Sequence, residues 1–357
     1  MGKLKVAVVF GGRSGEHEIS LMSAKSIMSA IDREKYEVIP VGISKDGVWY
    51  LGASPEAGTI TGQAVRLIGR DLVSLDEGTA LEHLVRVDVV FPALHGTFGE
   101  DGTIQGLFEM NSVPYVGAGV MSSAVCMDKS IMKAVFREAG IPVAPIRTFL
   151  RKAVRQDAGR VVSQIEAEFN YPVFVKPANL GSSVGVSKAK NREQLFSALD
   201  LACMYDRKIV VEQGIDAREV ECSVLGNDDP EASLAGEIIP SREFYDYYAK
   251  YIDDKSELLI PAPIPEAIHS EVRQLAIRAF KAVDCSGMAR VDFFIERGTN
   301  QVYVNEINTI PGFTRISMYP KLWEATGISY PELMDRLITL GIERYEDRSA
   351  SKTTFEP

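Results

Sequence analysis

The sequence predicts an α/β protein of several domains, and three observations carry that reading. With 357 residues the chain is long enough for two or three hydrophobic cores. Along its first third, strand-like and helix-like apolar patterns alternate, an order that yields a parallel sheet with helices on its faces. In its last third, Arg290-Val-Asp-Phe-Phe-Ile-Glu296 and Tyr303-Val-Asn-Glu-Ile-Asn308 stand either side of a turn and read as a strand hairpin.

The elements follow in order. Lys5–Phe10 is a strand, Glu16–Ile31 a helix, Tyr36–Ile43 and Val87–Ala93 strands, and Thr103–Met110 a helix. Ligands of such sheets sit beyond the carboxyl ends of the strands. Gly11-Gly-Arg-Ser14 and His95-Gly-Thr-Phe-Gly-Glu-Asp-Gly102 fall there, each after a strand and before a helix. The middle third opens on a helix near Asp128–Glu138, breaks at Pro142 and Pro145, and runs through the strand Tyr171–Pro177 into a glycine-rich hairpin at Asn179–Ser187. A helix at Arg192–Met204 and a strand at Lys208–Glu212 follow. The final third holds the strand Glu219–Leu225, a tyrosine-rich loop from Arg242 to about Ala262, a helix at Ile268–Val283, the hairpin, and a closing helix after Pro331. The loop carries Phe244, Tyr245, Tyr247, Tyr248 and Tyr251, too apolar for a linker, and reads as a lid.

Composition narrows the function. A hydrophobic fraction of 46% with 25% charged residues is that of a soluble globular protein. The net charge of −10 argues against a general nucleic-acid binder, which needs a basic surface. No apolar run approaches a membrane span, and Val6–Phe10 is too short for a secretion signal, so the expected location is the cytoplasm. Cys126, Cys203, Cys222 and Cys285 form no Cys-x-x-Cys pair and read as reduced structural thiols.

The chemistry concentrates in a few places. In a strand, residues two apart share a face, so Glu306 and Asn308 point together while Ile307 points to the core. With Asp292 they offer the hard oxygen donors that Mg²⁺ prefers, the other reading being a polar strand edge. Gly181-Ser-Ser-Val-Gly185 can turn its N–H groups toward phosphate oxygens, yet it lacks the Gly-Lys-Ser/Thr ending of a Walker loop, and a plain tight hairpin fits equally well. Lys176, at the end of an apolar strand, calls for an anionic partner. Lys129 starts a helix. In Ile209-Val-Val-Glu-Gln-Gly-Ile-Asp-Ala-Arg-Glu219, a strand ends in one carboxylate and a second follows a glycine turn. Such a segment could hydrogen-bond an adenine edge and a ribose, although spacing alone favours surface charge for both Glu212 and Glu219.

Five segments together resemble a known family. Gly11-Gly-Arg-Ser-Gly-Glu-His-Glu-Ile-Ser20, His95–Gly102, Lys176-Pro with Gly181–Gly185, Phe244-Tyr-Asp-Tyr-Tyr-Ala-Lys-Tyr251 and Asn305-Glu-Ile-Asn-Thr-Ile-Pro-Gly312 resemble, in order and over essentially the whole chain, the D-alanine–D-alanine ligases of the ATP-grasp superfold. The resemblance implies an N-terminal Rossmann-like α/β domain (1–125), a central ATP-grasp domain with the glycine-rich loop (126–214) and a C-terminal ATP-grasp domain with the metal site and lid (215–357). It implies ATP and two Mg²⁺ or Mn²⁺ ions, a monovalent cation such as K⁺ as activator, D-alanine as substrate, and a homodimer joined through the N-terminal region. The product, D-alanyl-D-alanine, is a peptidoglycan precursor.

Site roles transfer by motif. Lys129 and Lys176 would contact phosphates under the loop Gly181, Ser182 and Ser183, with Lys250 also at the nucleotide. Glu212 would receive the adenine amino group and Glu219 the ribose. Asp292, Glu306 and Asn308 would hold the metals. Glu16 would pair with the ammonium of the first D-alanine, beside His95, with Ser182 and Tyr251 linked to Glu16 beneath the lid. Arg290 and the Gly312 N–H would steady the tetrahedral oxyanion, and Lys250 and Ser317 would take the carboxylate of the second D-alanine. The resemblance leaves three alternatives: D-alanine–D-lactate ligation, D-alanine–D-serine ligation, or a catalytically silent nucleotide-binding regulator. The tyrosine lid ending in Lys250-Tyr251 resembles that of the dipeptide-forming members.

Overall fold

A computed structural model describes residues 2–75, 82–181, 184–239, 257–314, 316–352 and 354. Three sheets organise them. The first comprises β1 (Leu4–Gly11), β2 (Tyr36–Ile43), β3 (Trp49–Leu51), β4 (Gln63–Ile68), β5 (Asp71–Ser74), β6 (His83–Arg86) and β7 (Val89–Ala93), with α1 (His17–Ala30) between β1 and β2. Its order is β6-β5-β4-β3-β2-β1-β7. The predicted parallel arrangement holds at its centre, where β1 pairs in parallel with both β2 and β7. Strands β3 to β6 extend the sheet in antiparallel fashion, which makes it mixed. Strand β1 is buried on both sides: Val6, Val8 and Phe10 enter one core and Ala7 and Val9 another, beside α2 (Thr103–Met110). A strand covered on both faces reads as an unbroken apolar run, as this one does.

The second sheet is antiparallel, in the order β10-β9-β11-β8, from β8 (Ile146–Leu150), β9 (Val173–Pro177), β10 (Ser187–Ala189) and β11 (Lys208–Gln213). The helices α5 (Arg151–Gln156), α6 (Ala158–Glu166) and α7 (Arg192–Tyr205) cover one face. Two helices precede it in sequence, α3 (Val120–Met127) and α4 (Lys129–Glu138). The Asp128 side chain caps α4 by accepting from the N–H groups of Ser130 and Ile131.

The third sheet, in the order β14-β13-β12-β15-β16, is built from β12 (Ala217–Gly226), β13 (Glu231–Ile239), β14 (Glu257–Leu259), β15 (Gly287–Glu296) and β16 (Val302–Asn308). One face packs on α8 (Glu266–Ala282) together with Met132 and Phe136 of α4. On the other face α9 (Met318–Thr326) lies over β12 and β13, where Ser223 Oγ donates to the Tyr319 carbonyl at 3.3 Å. The expected lid largely falls at 240–256, outside the described residues, and the end of that expected loop is instead strand β14, paired with Glu237–Ile239. All four cysteines are free and buried, and no described helix is long and apolar enough to cross a membrane.

Helix α10 (Tyr330–Ser349) packs against both the first and the third sheet. Leu333, Met334, Leu337 and Ile338 share one core with Val6, Val8 and Phe91 of the first sheet and with Leu225 and Met288 of the third. At Gly341 the helix approaches so closely that a Cβ would sit 2.7 Å from the Tyr115 carbonyl oxygen. Two effects compete there: alanine is the better helix former by about 1 kcal/mol, but the obstructing atom is backbone and cannot swing away. The contact wins, and Gly341→Ala is expected to destabilise the protein by about 1–3 kcal/mol, measured as a lower urea midpoint at unchanged slope.

Candidate active site

A cleft of about 710 Å³ opens between the second and third sheets, closed at one end by loops of the first. Its third-sheet wall is the β15–β16 hairpin. Asp292 stands directly opposite Glu306, and Arg290 opposite Asn308. Val291, Phe293 and Ile307 point the other way into the core. The register slips between Asp292 and Phe293, so Asn305 is left over as a bulge at the rim.

Two carboxylates facing each other across a ladder repel, and here two cations and an amide N–H donor offset that repulsion. Arg290 grips Asp292 with both Nε and Nη2, at 2.7 and 2.8 Å, and its Nε lies 3.0 Å from Glu221. Lys129 Nζ is 3.4 Å from Glu306 and donates to the Leu180 carbonyl at 2.9 Å. Asn308 Nδ2 donates to Asp292 at 3.0 Å. Among the described residues no group of three His, Cys, Asp or Glu side chains is disposed to hold a metal. The set is therefore two carboxylates plus an amide, which suits a hard cation that keeps its remaining positions for water and phosphate.

The second-sheet wall carries buried ammonium groups. Lys176 Nζ donates to Glu212 Oε2 at 2.6 Å, and Lys133 Nζ lies 2.7 Å from Glu212 Oε1. Spacing favours surface charge for Glu212, yet it is 2% exposed. Burial pushes its carboxyl up, but Lys133 and Lys176 outweigh burial and hold it down at about 2. For Lys176 the same balance runs upward: burial lowers it, and Glu212, Glu306 and Glu219 together raise it. Glu219, half-buried, lines the cleft beyond the turn.

The closed end gathers the remaining side chains. Glu16 begins α1 without capping it and turns, buried, into the cleft. A Cβ on Gly181 would stand 2.8 Å from Glu16 Oε1, so the glycine loop meets this carboxylate only because it lacks a side chain there. His95 sits between Ser23 Oγ at 2.8 Å and the Ile310 carbonyl at 3.2 Å. Burial lowers its pKa to about 4, against the hydrogen bond to Ile310, and Arg290 adds to the lowering. Glu100 accepts from the Gly96 N–H at 2.8 Å, and burial followed by repulsion from Glu16 raises its pKa well above the usual range. Ser317 Oγ accepts from the Thr314 N–H at 3.0 Å, close beside Gly312.

Residues 5–118 match the model of the D-ala D-ala ligase N-terminus, and residues 135–339 that of the D-ala D-ala ligase C-terminus. The chain belongs to the D-alanine–D-alanine ligase family. The D-alanine–D-alanine ligase of Thermoanaerobacter sp. (strain X514) is 54% identical over 98% of this chain and 99% of its own length. Among solved structures, the D-alanine-D-alanine ligase from Coxiella burnetii has a TM-score of 0.82 at 40% identity, covering 97% of each chain. The VanG D-Ala:D-Ser ligase from Enterococcus faecalis has 0.83 at 35%, covering 95% of this chain and all of its own. The fold is accordingly that of an ATP-grasp ligase.

Within this ligase fold, thirteen side chains and backbone positions singled out in the sequence line one cleft: Glu16, His95, Lys129, Lys176, Gly181, Glu212, Glu219, Arg290, Asp292, Glu306, Asn308, Gly312 and Ser317. Ser182, Ser183, Lys250 and Tyr251 lie outside the described residues. Sequence reasoning passes over Lys133, Glu221 and Glu100. The first two carry signals: Lys133 is one helical turn from Lys129, and Glu221 shares a strand face with Glu219. Glu100 has none beyond its loop.

The neutral, buried His95 fixes a pH dependence. Its folded pKa is depressed, so the unfolded chain takes up the proton first and stability falls as pH drops from about 6.5 toward 4. The loss from this residue should reach about 3 kcal/mol. Urea unfolding of wild type and His95→Gln across that window should show a shallower slope for the variant; parallel slopes would refute the assignment.

Proposed function

We propose that this chain joins two D-alanine molecules to D-alanyl-D-alanine at the expense of ATP, supplying a peptidoglycan precursor. The reading is supported above all by the meeting, in one cleft, of the Arg290, Asp292, Glu306 and Asn308 cluster with the Glu16, His95 and Ser317 end. The first D-alanine binds at that end, its ammonium against Glu16. Its carboxylate takes the γ-phosphoryl of ATP to give an acyl phosphate, and the amine of the second D-alanine attacks the carbonyl carbon, expelling phosphate. Ser317, with Lys250, takes the second carboxylate. Neutral His95 packs beside the first substrate without adding charge.

The steps bring anions together, so positioning and charge neutralisation do most of the work. Lys129 and Lys176 receive phosphate oxygens, with Gly181, Ser182 and Ser183 above them. Glu212 keeps lone pairs beyond its two lysines for the adenine amino group, and Glu219 takes the ribose. Arg290 and the Gly312 N–H face the oxyanion of the tetrahedral intermediate, one such donor being worth about 3 kcal/mol of barrier. By their motif match, Ser182 and Tyr251, which lie outside the described residues, would link to Glu16 and close the site against water.

Charge argues for the metal. Among the described residues nine carboxylates and six cationic side chains line the cleft, an acidic surface for a triphosphate. Asp292, Glu306 and Asn308 would hold Mg²⁺ or Mn²⁺, which would supply the missing positive charge at the phosphoryl group. We read the protein further as a cytoplasmic homodimer joined through its N-terminal region and activated by K⁺. Ligation to D-lactate or D-serine is not favoured, since the relative named for D-alanine in both positions matches at 54% identity against 35% for VanG. A silent regulator is not favoured either, because the charged set is complete.

The test is ADP release with Mg²⁺, ATP and D-alanine. D-Alanine should drive turnover to the dipeptide, whereas L-alanine or D-lactate alone should not. Chelation by EDTA should stop turnover, and Glu306→Gln should lower kcat at least about 100-fold. Equal turnover with D-lactate as acceptor, or full activity in EDTA, would exclude this assignment.

A further inference from the structure

Lys133 is 1% exposed and remote from solvent, burial lowering its ammonium pKa against the opposing pull of Glu212, and no role above requires it. It follows Lys129 by one turn of α4, between Met132 and, a further turn on, Phe136, both fully buried. It does not line the cleft, so it touches no substrate. Its partner is Glu212, whose other oxygen holds Lys176. The Lys133 contact is ionic rather than a well-directed hydrogen bond, which leaves Glu212 Oε1 able to accept from a further donor.

Stability does not account for the lysine. A buried ion pair can usually be replaced by apolar side chains at no loss, and the core around α4 is apolar. Charge does account for it. Lys176 with Glu212 alone is formally neutral and would present little to an anion. Adding Lys133 gives the trio one net positive charge. Of the three, Lys176 is the most exposed and shares the cleft wall with Glu212, so the charge is felt there. Neighbouring antiparallel strands fix the geometry: Val210 pairs with Lys176, which sets Glu212 diagonally across from it.

Resting on the nucleotide reading above, we propose that Lys133 is a positioning residue for ATP: by holding Glu212 from behind, it leaves Lys176 with an uncancelled charge for the phosphates. Lys133→Met should raise the KM for ATP about 30-fold while the KM for D-alanine changes little, a split that a general packing defect would not produce. Lys133→Arg keeps the charge and should recover most of the loss. The decisive comparison is Lys133→Arg against Lys133→Met: the KM for ATP of the arginine variant should lie at least about fivefold below that of the methionine variant, as expected where charge rather than packing sets it.

An unchanged KM for ATP in Lys133→Met, or a Lys133→Arg variant no better than Lys133→Met, overturns the proposal while leaving the ligase reading intact. A wild-type enzyme that binds no ATP overturns the nucleotide reading itself, and shows this before any variant is made. Urea unfolding is run on every variant. Should Lys133→Met not fold, Lys133→Gln replaces it in the same comparison, with the same two results deciding the outcome.

Discussion

Asp292 and Glu306 occupy one rung of the β15–β16 ladder, and the repulsion between them shapes much of what surrounds the cleft. Arg290 answers it from the same strand, which costs only the choice of a residue two positions earlier. Lys129 answers it from α4, and that requires a helix to be packed beneath the third sheet with its amino end at the cleft. Once α4 is there, the next turn brings Lys133 to Glu212 on the second sheet. One helix thus ties the charges of both walls together. Lys208, beside Asp128 at the start of α4, adds a further tie to the second sheet.

The closed end of the cleft obeys a different rule. Glu16, buried, and Glu100, half-buried, are two carboxylates near Gly96, and desolvation with repulsion from Glu16 pushes Glu100 toward its neutral form. His95 is neutral by burial as well. Such a pocket offers one strong negative charge, at Glu16, among groups that do not compete with it. That suits the recognition of a small ammonium-bearing molecule, as the opposite wall, with its excess of paired charge, suits phosphates.

Much of this arrangement is legible in the amino-acid sequence. Tyr36–Ile43 and Thr103–Met110 have the bounds their apolar patterns predict, and the hairpin delivers Asp292, Glu306 and Asn308 to one face because a period of two leaves no alternative. Strands β3 to β6 are not legible, because they are only three to six residues long. Pattern recognition needs longer runs. Glu212 reads as surface charge for another reason. Its surroundings are made by lysines 36 and 79 residues earlier in the chain, at Lys176 and Lys133, and nothing local to Val211-Glu212-Gln213 reports them.

The shared core of α10 with the first sheet has a consequence for how the protein is made. Val6, Val8 and Phe91 are synthesised well before Leu333, Met334, Leu337 and Ile338, which help to cover them. Until α10 joins it, that face of the first sheet is covered only in part, by Leu21, Ala24 and Ile27 of α1. The first sheet therefore does not finish its core as an independent domain during synthesis, but depends for part of its cover on a helix made much later.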